Sequence, residues 1–453
     1  MDTAVIDERD LLKQFQRANQ EQFLQFIKDY DDFIAPSMRA RGYRLKNQSS
    51  RTVTFIFGEI EFSRNRWYKQ GKCKIPVDEK LGLKKHERVS KEMVYQVAHL
   101  STFLPYRKVG DVLELVNQVI VSKDTVLKAV KKGHKLHKMK EDYEYYQDNY
   151  PSKTTVKDLY LEGDGVMVKT TDQSKDNHNI DLAHFVIHTG RKQVGPNRYE
   201  LQNKKEFICS SNNKARDKVL DYLYYHYNFS SKTQLICNSD GGCGYGHTVF
   251  EEFGCSLGVR VEYFWDSYHL TEQLRQFFQP YPKELLYLSL KAVKNHNKKL
   301  LRTVFDTVES LIENEDEFSI MEAFRKKIYA RWRYTKPAEL RGLSHKGIGI
   351  MESQHRKVTY RMKKRGMYWS LAGAETMSRM IIAREEGTLR DLFMGDWQNQ
   401  YQRKVLNKGS ADAWVRLKGN PNAWLQANQL SSRGTKSLKS TLARDKARKS
   451  KKI

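Results

Sequence analysis

At 453 residues the chain has room for two to four domains, and with 39% hydrophobic and 30% charged residues it can bury real cores, which excludes disorder throughout. Its 80 Lys and Arg against 54 Asp and Glu leave a formal charge of +26, which points to a polyanionic partner, nucleic acid ahead of an anionic membrane surface. No stretch approaches the roughly eighteen apolar residues of a membrane span, the polar start MDTAVIDERDLLKQFQ lacks a signal-peptide core, and the five scattered cysteines form no CxxC; these features argue against a transmembrane protein, a disulfide scaffold and a zinc ribbon, and a reducing cytoplasm fits best.

Residues 1–45 carry Leu11, Leu12, Phe15, Phe23, Phe26 and Ile27 at helical spacing, which predicts an amphipathic helix or helix pair whose stripe packs into a core. Over 46–89, Val53, Phe55 and Phe57, then Ile60 and Phe62, break at Gly58-Glu59 and predict a β-hairpin. Its far end is basic, with Arg64, Arg66, Lys69, Lys72 and Lys74. Residues 90–150 read as helices: SKEMVYQVAHLST behind a Ser90 cap, KVGDVLELVNQVI, then VSKDTVLKAVKKGHKLHK, where Ser122 is a good N-cap and Asp124 lies in the first turn. Val126, Ala129 and Val130 face inward, leaving Lys123, Lys128, Lys131 and Lys132 for solvent or phosphate. Two short helices, a break and a capped basic helix make a helix-turn-helix-like pattern; a plain bundle with a solvated lysine face is the alternative.

From 151 to 270 the pattern is mixed. Strands are expected at 156–163, 180–189, 199–209, 233–239 and 259–265, with the helix NKARDKVLDYLYYHYN between the third and fourth and GHTVFEEFG between the fourth and fifth. That is an α/β layout. Residues 271–345 read as all-helical, including one long stretch KELLYLSLKAVKNHNKKLLRTVFDTVESLIE. Residues 346–405 open on another basic helix, IMESQHRKVTYRMKKRG, and 406–453 form a Ser/Lys/Arg tail expected to be disordered until it meets a polyanion.

Two acids draw notice. In TVKDLYLEGDGVMVKT, Asp164 lies between Gly163 and Gly165 on a strand with Leu159 and Leu161 on one face, although Asp-Gly is also a hairpin-turn signal. In KTQLICNSDGGCGYG, the apolar run Leu235-Ile236-Cys237 ends at Asp240, followed by Gly241 and Gly242. Sites in open α/β sheets form at strand ends. Oxygen ligands of this kind suit Mg²⁺, two metals about 4 Å apart stabilise both oxygens of a phosphodiester displacement, and the glycines would let a phosphate backbone approach. The nearest helix-borne third acid is Glu352, with Arg356 and Lys357 one turn beyond; a surface ion pair is its plainer reading. His247 reads as a loop residue and Cys237 as strand packing. Trp332, with Arg331 and Arg333, either grips nucleic acid or packs in a core.

Asp164 and Asp240 on strands, then Glu352 on a helix after a long helical insertion, resemble the DDE triad of an RNase H-like transposase. Between them YFWDSYHL, with Asp266 and His269, is similar to the D-x-x-H signature of Mutator-like transposases. The layout, with FGEIEFSRNRWYK, YLEGDGV, CNSDGG and the Glu352 helix, resembles bacterial insertion-sequence transposases of the Lre type over nearly the full chain. The resemblance implies an α/β, RNase H-like catalytic core with an all-helical insertion, preceded by a helical and β-hairpin DNA-binding region. It implies Asp164, Asp240 and Glu352 as catalytic acids and ligands for Mg²⁺ or Mn²⁺. Water would attack the phosphodiester at the element end, and the freed 3′-hydroxyl would then attack target DNA. Asp266, which also suits the cap of a helix beginning near Leu270, and His269 would be accessory. Arg64, Arg66, Lys123, Lys128, Lys131, Lys132, Arg356 and Lys357 would contact DNA. The implied partners are double-stranded DNA, both element ends and target, and at least one further copy of the chain, in a bacterial cytoplasm at the nucleoid with no membrane. The context MESQHRK departs from the small or glycine residue expected just after the glutamate, which leaves Glu375, Glu385 and Glu386 as rivals. A metal-dependent nuclease of related fold and a catalytically inactive DNA-binding derivative are the alternatives.

Overall fold

The computed structural model describes residues 7–145, 152–172, 179–196, 198–343 and 347–403. The expected basic tail at 406–453 lies outside the described residues. The chain divides into two compact units, 1–146 with 380–406, and 147–379 with 407–453. The division thus falls inside the 346–405 segment.

In the first unit, Asp7 accepts the Arg9 N–H at 2.9 Å and caps α1 (Glu8–Ala40), one unbroken helix. Strands β1 (Arg44–Phe55) and β2 (Gly58–Lys69) form the expected hairpin, closing at the pair Phe55–Gly58, and β3 (Lys72–Lys74) adds to β2. Val53, Phe55, Ile60 and Phe62 alternate onto the face that meets Ile27 of α1. The buried residues of α1 begin only at Ile27, so the expected core stripe holds in part: Leu12, Phe15 and Phe26 are 40%, 61% and 44% exposed. Short α2 (Pro76–Lys80) inserts Asp78 between Arg51 at 2.7 Å and Arg64 at 3.0 Å. Then follow α3 (Lys91–Ser101), α4 (Tyr106–Asn117) and α5 (Lys123–Tyr145). Ser90 Oγ accepts the Met93 N–H at 3.2 Å and Ser122 Oγ accepts the Thr125 N–H at 3.3 Å, so both expected caps form. Val126, Ala129 and Val130 are buried, which leaves the lysine face of α5 outward.

The second unit is a mixed α/β structure. A two-residue strand β4 (Thr154–Thr155) precedes β5 (Asp158–Lys169) and β6 (Asn179–His188). The strand expected at 199–209 is broken: β7 (Arg191–Gly195) and β8 (Arg198–Leu201) form a separate ribbon, and only β9 (Lys205–Cys209) joins the main sheet. Then come α6 (Asn212–His226), β10 (Tyr227–Asn228, paired with β4), β11 (Gln234–Ser239), α7 (His247–Leu257) and β12 (Arg260–Trp265). The main sheet has the order β12-β11-β5-β6-β9, with β6 antiparallel to β5 and β9, and β11 parallel to both β5 and β12. One face carries Leu159, Leu161, Phe185, Leu235 and Cys237 against Val219 and Leu223 of α6 and Phe250 of α7. The other carries Tyr160, Ile236 and Phe264.

Helices α8 (Ser267–Phe277), α9 (Lys283–Lys294), α10 (Lys298–Glu309) and α11 (Glu315–Ala330) follow. The long helix expected from 283 is two: His296 takes φ +49, and Asn297 accepts the Leu300 N–H at 3.0 Å to cap α10. Trp332 is buried and stacks on His296 with centroids 4.7 Å apart, so it packs in the core and offers no face to a base. His247 opens α7 and is not a loop residue. Next comes α12 (Met351–Met362), packed against β5. The boundary between units lies within α13 (Leu371–Glu385), and α14 (Leu389–Met394) packs with α3 and α5 of the first unit. Among the described residues, no helix is long and apolar enough to cross a membrane.

Candidate active site

The parallel ladder between β5 and β11 runs to its last rung, Asn238 beside Glu162. Two residues beyond that rung stand Asp164, within β5, and Asp240, just past the end of β11. Asp164 is within β5, not in a turn, because β6 continues to pair with it through His184. The flanking glycines have a packing cause. A Cβ on Gly163 would lie 2.5 Å from the Phe185 ring, and one on Gly165 would lie 2.4 Å from Asp181 Oδ1. Side chains from β6 fill both places, so the space is not left for a phosphate backbone.

Strand alternation sends Tyr160, Glu162 and Asp164 to the face that α12 covers. Glu162 is fully buried and grips the start of that helix: Oε1 accepts the Gly349 N–H at 2.8 Å and Oε2 the Ile350 N–H at 2.9 Å. Burial pushes its carboxyl up to about 8, against the pull of those N–H groups and of the Asn238 amide. Asn238 Nδ2 also donates to Asp266 Oδ2 at 3.0 Å, and Asp266 Oδ1 accepts the Tyr268 and His269 N–H groups at 2.8 and 3.1 Å. Asp266 is therefore the N-cap of α8, as its place in the sequence suggested.

Asp164, Asp240, Asp266, His269 and Glu352 line one small open cleft together with Gly163, Asn238 and Ser239. Asp240 sits in a tight turn in which its Oδ1 accepts the Gly242 N–H at 2.7 Å, and its carbonyl accepts the Trp265 indole N–H at 2.8 Å. Burial, then the charge of Asp240, push Asp164 up to about 7. Glu352 is an exposed residue of the first turn of α12. Of the rival acids, Glu375 bonds to Ser210 and is not on the cleft wall, and Glu385 and Glu386 fall in the other unit.

A second set of residues escaped the sequence reading. His355, also on α12, brings Nδ1 to 3.6 Å from Asp164 Oδ2 and stacks on His184 with centroids 5.2 Å apart. His184 Nε2 lies 3.0 Å from Glu206, which also meets Lys204 at 2.9 Å and Lys357. Burial, then His184, pull His355 down to about 3, so its ring is neutral, and burial likewise lowers His184 against the pull of Glu206. Burial works to raise Glu206, but His184 and the two lysines hold it well below its usual range. His355 follows Glu352 at the i+3 spacing of one helix face, a signal present in the sequence; the Glu206 cluster depends on strand pairing and has no local signature.

The expected DNA-contacting cations divide by exposure. Lys123, Lys128, Lys131 and Arg356 are exposed. Lys132 is half-buried, and burial holds its ammonium below the usual pKa. Arg66 is half-buried and donates to the Tyr68 hydroxyl at 2.5 Å. Arg64 is buried on Asp78 and the Ser49 carbonyl, and Lys357 neutralises Glu206; both are held by the fold itself.

The cleft offers carboxylate oxygen, and the charge of Asp240 works against that of Asp164 there. A divalent cation would relieve that repulsion. Among the described residues, no group of three or more His, Cys, Asp or Glu side chains is placed to hold a metal ion. An open arrangement of one or two carboxylates with waters fits Mg²⁺ and does not fit a structural zinc site.

A relative from Streptococcus gallolyticus, "UPF0236 protein in vanSb 3′region", is 32% identical over 408 residues, covering 86% of this chain and 87% of its own. Among solved structures, the Drosophila P element transposase strand transfer complex aligns with 81% of this chain and 93% of that one at 11% identity, with a TM-score of 0.24. The profile of one family matches residues 6–401, and the chain belongs to that family, the uncharacterised protein family UPF0236.

Proposed function

We propose that this chain is a DDE-type transposase that binds the terminal inverted repeats of an insertion sequence, cleaves DNA strands there and joins them to a target. One observation carries the reading: Asp164, Asp240 and Glu352, from three remote stretches of sequence, line one cleft beside the last rung of the β5–β11 ladder. The sheet supports it. Antiparallel β5, β6 and β9, with β11 and β12 running parallel to β5 in the order β12-β11-β5-β6-β9, are the arrangement expected of an RNase H-like core. The charge of +26 suits a DNA partner.

Asp164 and Asp240 are the residues to hold Mg²⁺ or Mn²⁺, with Glu352 completing the set. When bound, the ion supplies charge stabilisation to the attacking and leaving oxygens of a phosphodiester displacement. Glu162, gripping Gly349 and Ile350, holds the start of α12 and with it Glu352. Neutral His355 lies behind Asp164 and limits how that carboxylate can turn. Exposed Lys123, Lys128 and Lys131 on α5 and Arg356 on α12 bind phosphates without reading bases. Pairing two element ends calls for at least a dimer.

The test incubates the protein with a labelled duplex carrying the element end, a target plasmid and Mg²⁺ or Mn²⁺. Joined products are expected. Nicks without joining would favour a metal-dependent nuclease, and binding without chemistry under either metal would sink the enzymatic reading.

A further inference from the structure

The helical insertion delivers a cation beside the turn that carries Asp240. Arg331 caps the C-terminus of α11, and its guanidinium lies over the Trp265 ring, 5.2 Å from the centroid. That indole is itself tied to the site, donating its N–H to the Asp240 carbonyl at 2.8 Å. On its other side the guanidinium rests against Gly241: a Cβ there would lie 2.8 Å from Arg331 Nη1, and Gly241 takes φ +71, which favours glycine. Arg331 is half-buried and makes no ion pair or side-chain hydrogen bond among the described residues. Lys327, one turn earlier on α11, feels the charges of both Arg331 and Asp240 and donates to Gln273 at 2.8 Å.

We propose that Arg331 is a phosphate-binding residue of the cleft, holding a backbone phosphate of the DNA strand beside Asp240. The inference rests on the proposed function and extends it to one contact. A guanidinium presents planar paired donors that match two phosphate oxygens, and stacking on an indole fixes the plane of that fork. A partnerless guanidinium fixed beside an acid cleft has its donors ready for an anion. The contact also accounts for part of the insertion, since α11 carries a positive group to a strand end that otherwise presents acids.

The test uses the full chain and a fluorescent duplex of about 30 base pairs, with Ca²⁺ replacing Mg²⁺, over a range of salt. It compares wild type with Arg331→Ala, Arg331→Gln, Arg331→Lys and, as a charge control, Lys326→Ala. Lys326 is on the same helix and pairs with Glu322 at 3.2 Å. Loss of one phosphate contact should lower the slope of log affinity on log salt by about 1, and weaken binding roughly three- to tenfold near physiological salt. Arg331→Gln keeps the stem and a planar head, so it carries the same expectation even if the alanine variant folds poorly. Arg331→Lys should restore most of the slope yet cleave more slowly in Mg²⁺, because the fork is gone. Lys326→Ala should bind as wild type does. If wild type binds and Arg331→Gln matches it in slope and affinity, the assignment to Arg331 fails alone. If wild type does not bind the duplex, the proposed function fails and takes this contact with it.

Discussion

Replacing Glu162 by alanine should unfasten the helix that carries Glu352. The side chain is fully buried, and its two oxygens are the acceptors for the Gly349 and Ile350 N–H groups at 2.8 and 2.9 Å. Alanine leaves the N–H groups of exposed Gly349 and half-buried Ile350 without their protein acceptor. With its carboxyl pushed up to about 8, Glu162 is neutral at pH 7, and a hydrogen bond between neutral groups contributes about 0.5–1.5 kcal/mol. At the upper figure the pair amounts to about 3 kcal/mol. In a unit of this size that lowers the melting temperature by about 6–12 °C. It also opens the start of α12 roughly a hundredfold more often. The assay is amide hydrogen exchange on the full chain, read at Gly349 and Ile350, beside thermal unfolding. Glu162→Gln keeps one acceptor and should lose about half as much. DNA binding should persist while cleavage falls. Unchanged exchange at Gly349 and Ile350 in Glu162→Ala would refute the role given to this carboxylate.

His188 stacks on Tyr160 at 4.7 Å, with Nε2 donating to the Gly347 carbonyl at 3.0 Å and Nδ1 accepting the Gly190 N–H at 3.1 Å. Burial pulls it from 6.5 down to about 4, so the unfolded chain takes up this proton first as pH falls. Its contribution of about 3 kcal/mol is present above pH 6.5 and lost between there and about pH 4. His188→Phe keeps the stack and should flatten that part of the stability curve; an unaltered slope would contradict it. Asp78 holds Arg51 and Arg64, whose side chains are only 9% and 10% exposed. Asp78→Ala should destabilise the first unit by about 3 kcal/mol in chemical denaturation, and a neutral effect would refute the view that Arg64 serves the hairpin and not DNA.

The elements that bear the site were legible because their signals are local. Apolar, β-prone runs mark β5, β6, β11 and β12, and α12 reads as a basic helix. Asp164 and Asp240 stand out by their position at the ends of apolar runs. Gly163 and Gly165 make room for Phe185 and Asp181, which reach those places only once β6 has paired with β5. The stripe of α1 promised more burial than it has because periodicity cannot say how far a partner extends. The break between α9 and α10 hides because the apolar period runs through it, although Asn295-His296-Asn297 carries the residues for a left-handed turn and a new cap. Glu162 was passed over beside Asp164, yet strand period alone assigns the two to one face.

The most direct test of the account is the single-turnover rate of end cleavage in Mg²⁺ for wild type, Asp164→Asn, Asp240→Asn, Glu352→Gln, the triple variant and Glu375→Gln, each at saturating DNA. Residues that act as one unit are non-additive, so each of the first three variants should fall nearly to the level of the triple variant, with binding intact and Glu375→Gln near wild type. Retention of cleavage by Glu352→Gln, or its loss in Glu375→Gln alone, would contradict the assignment of the three acids that line the cleft.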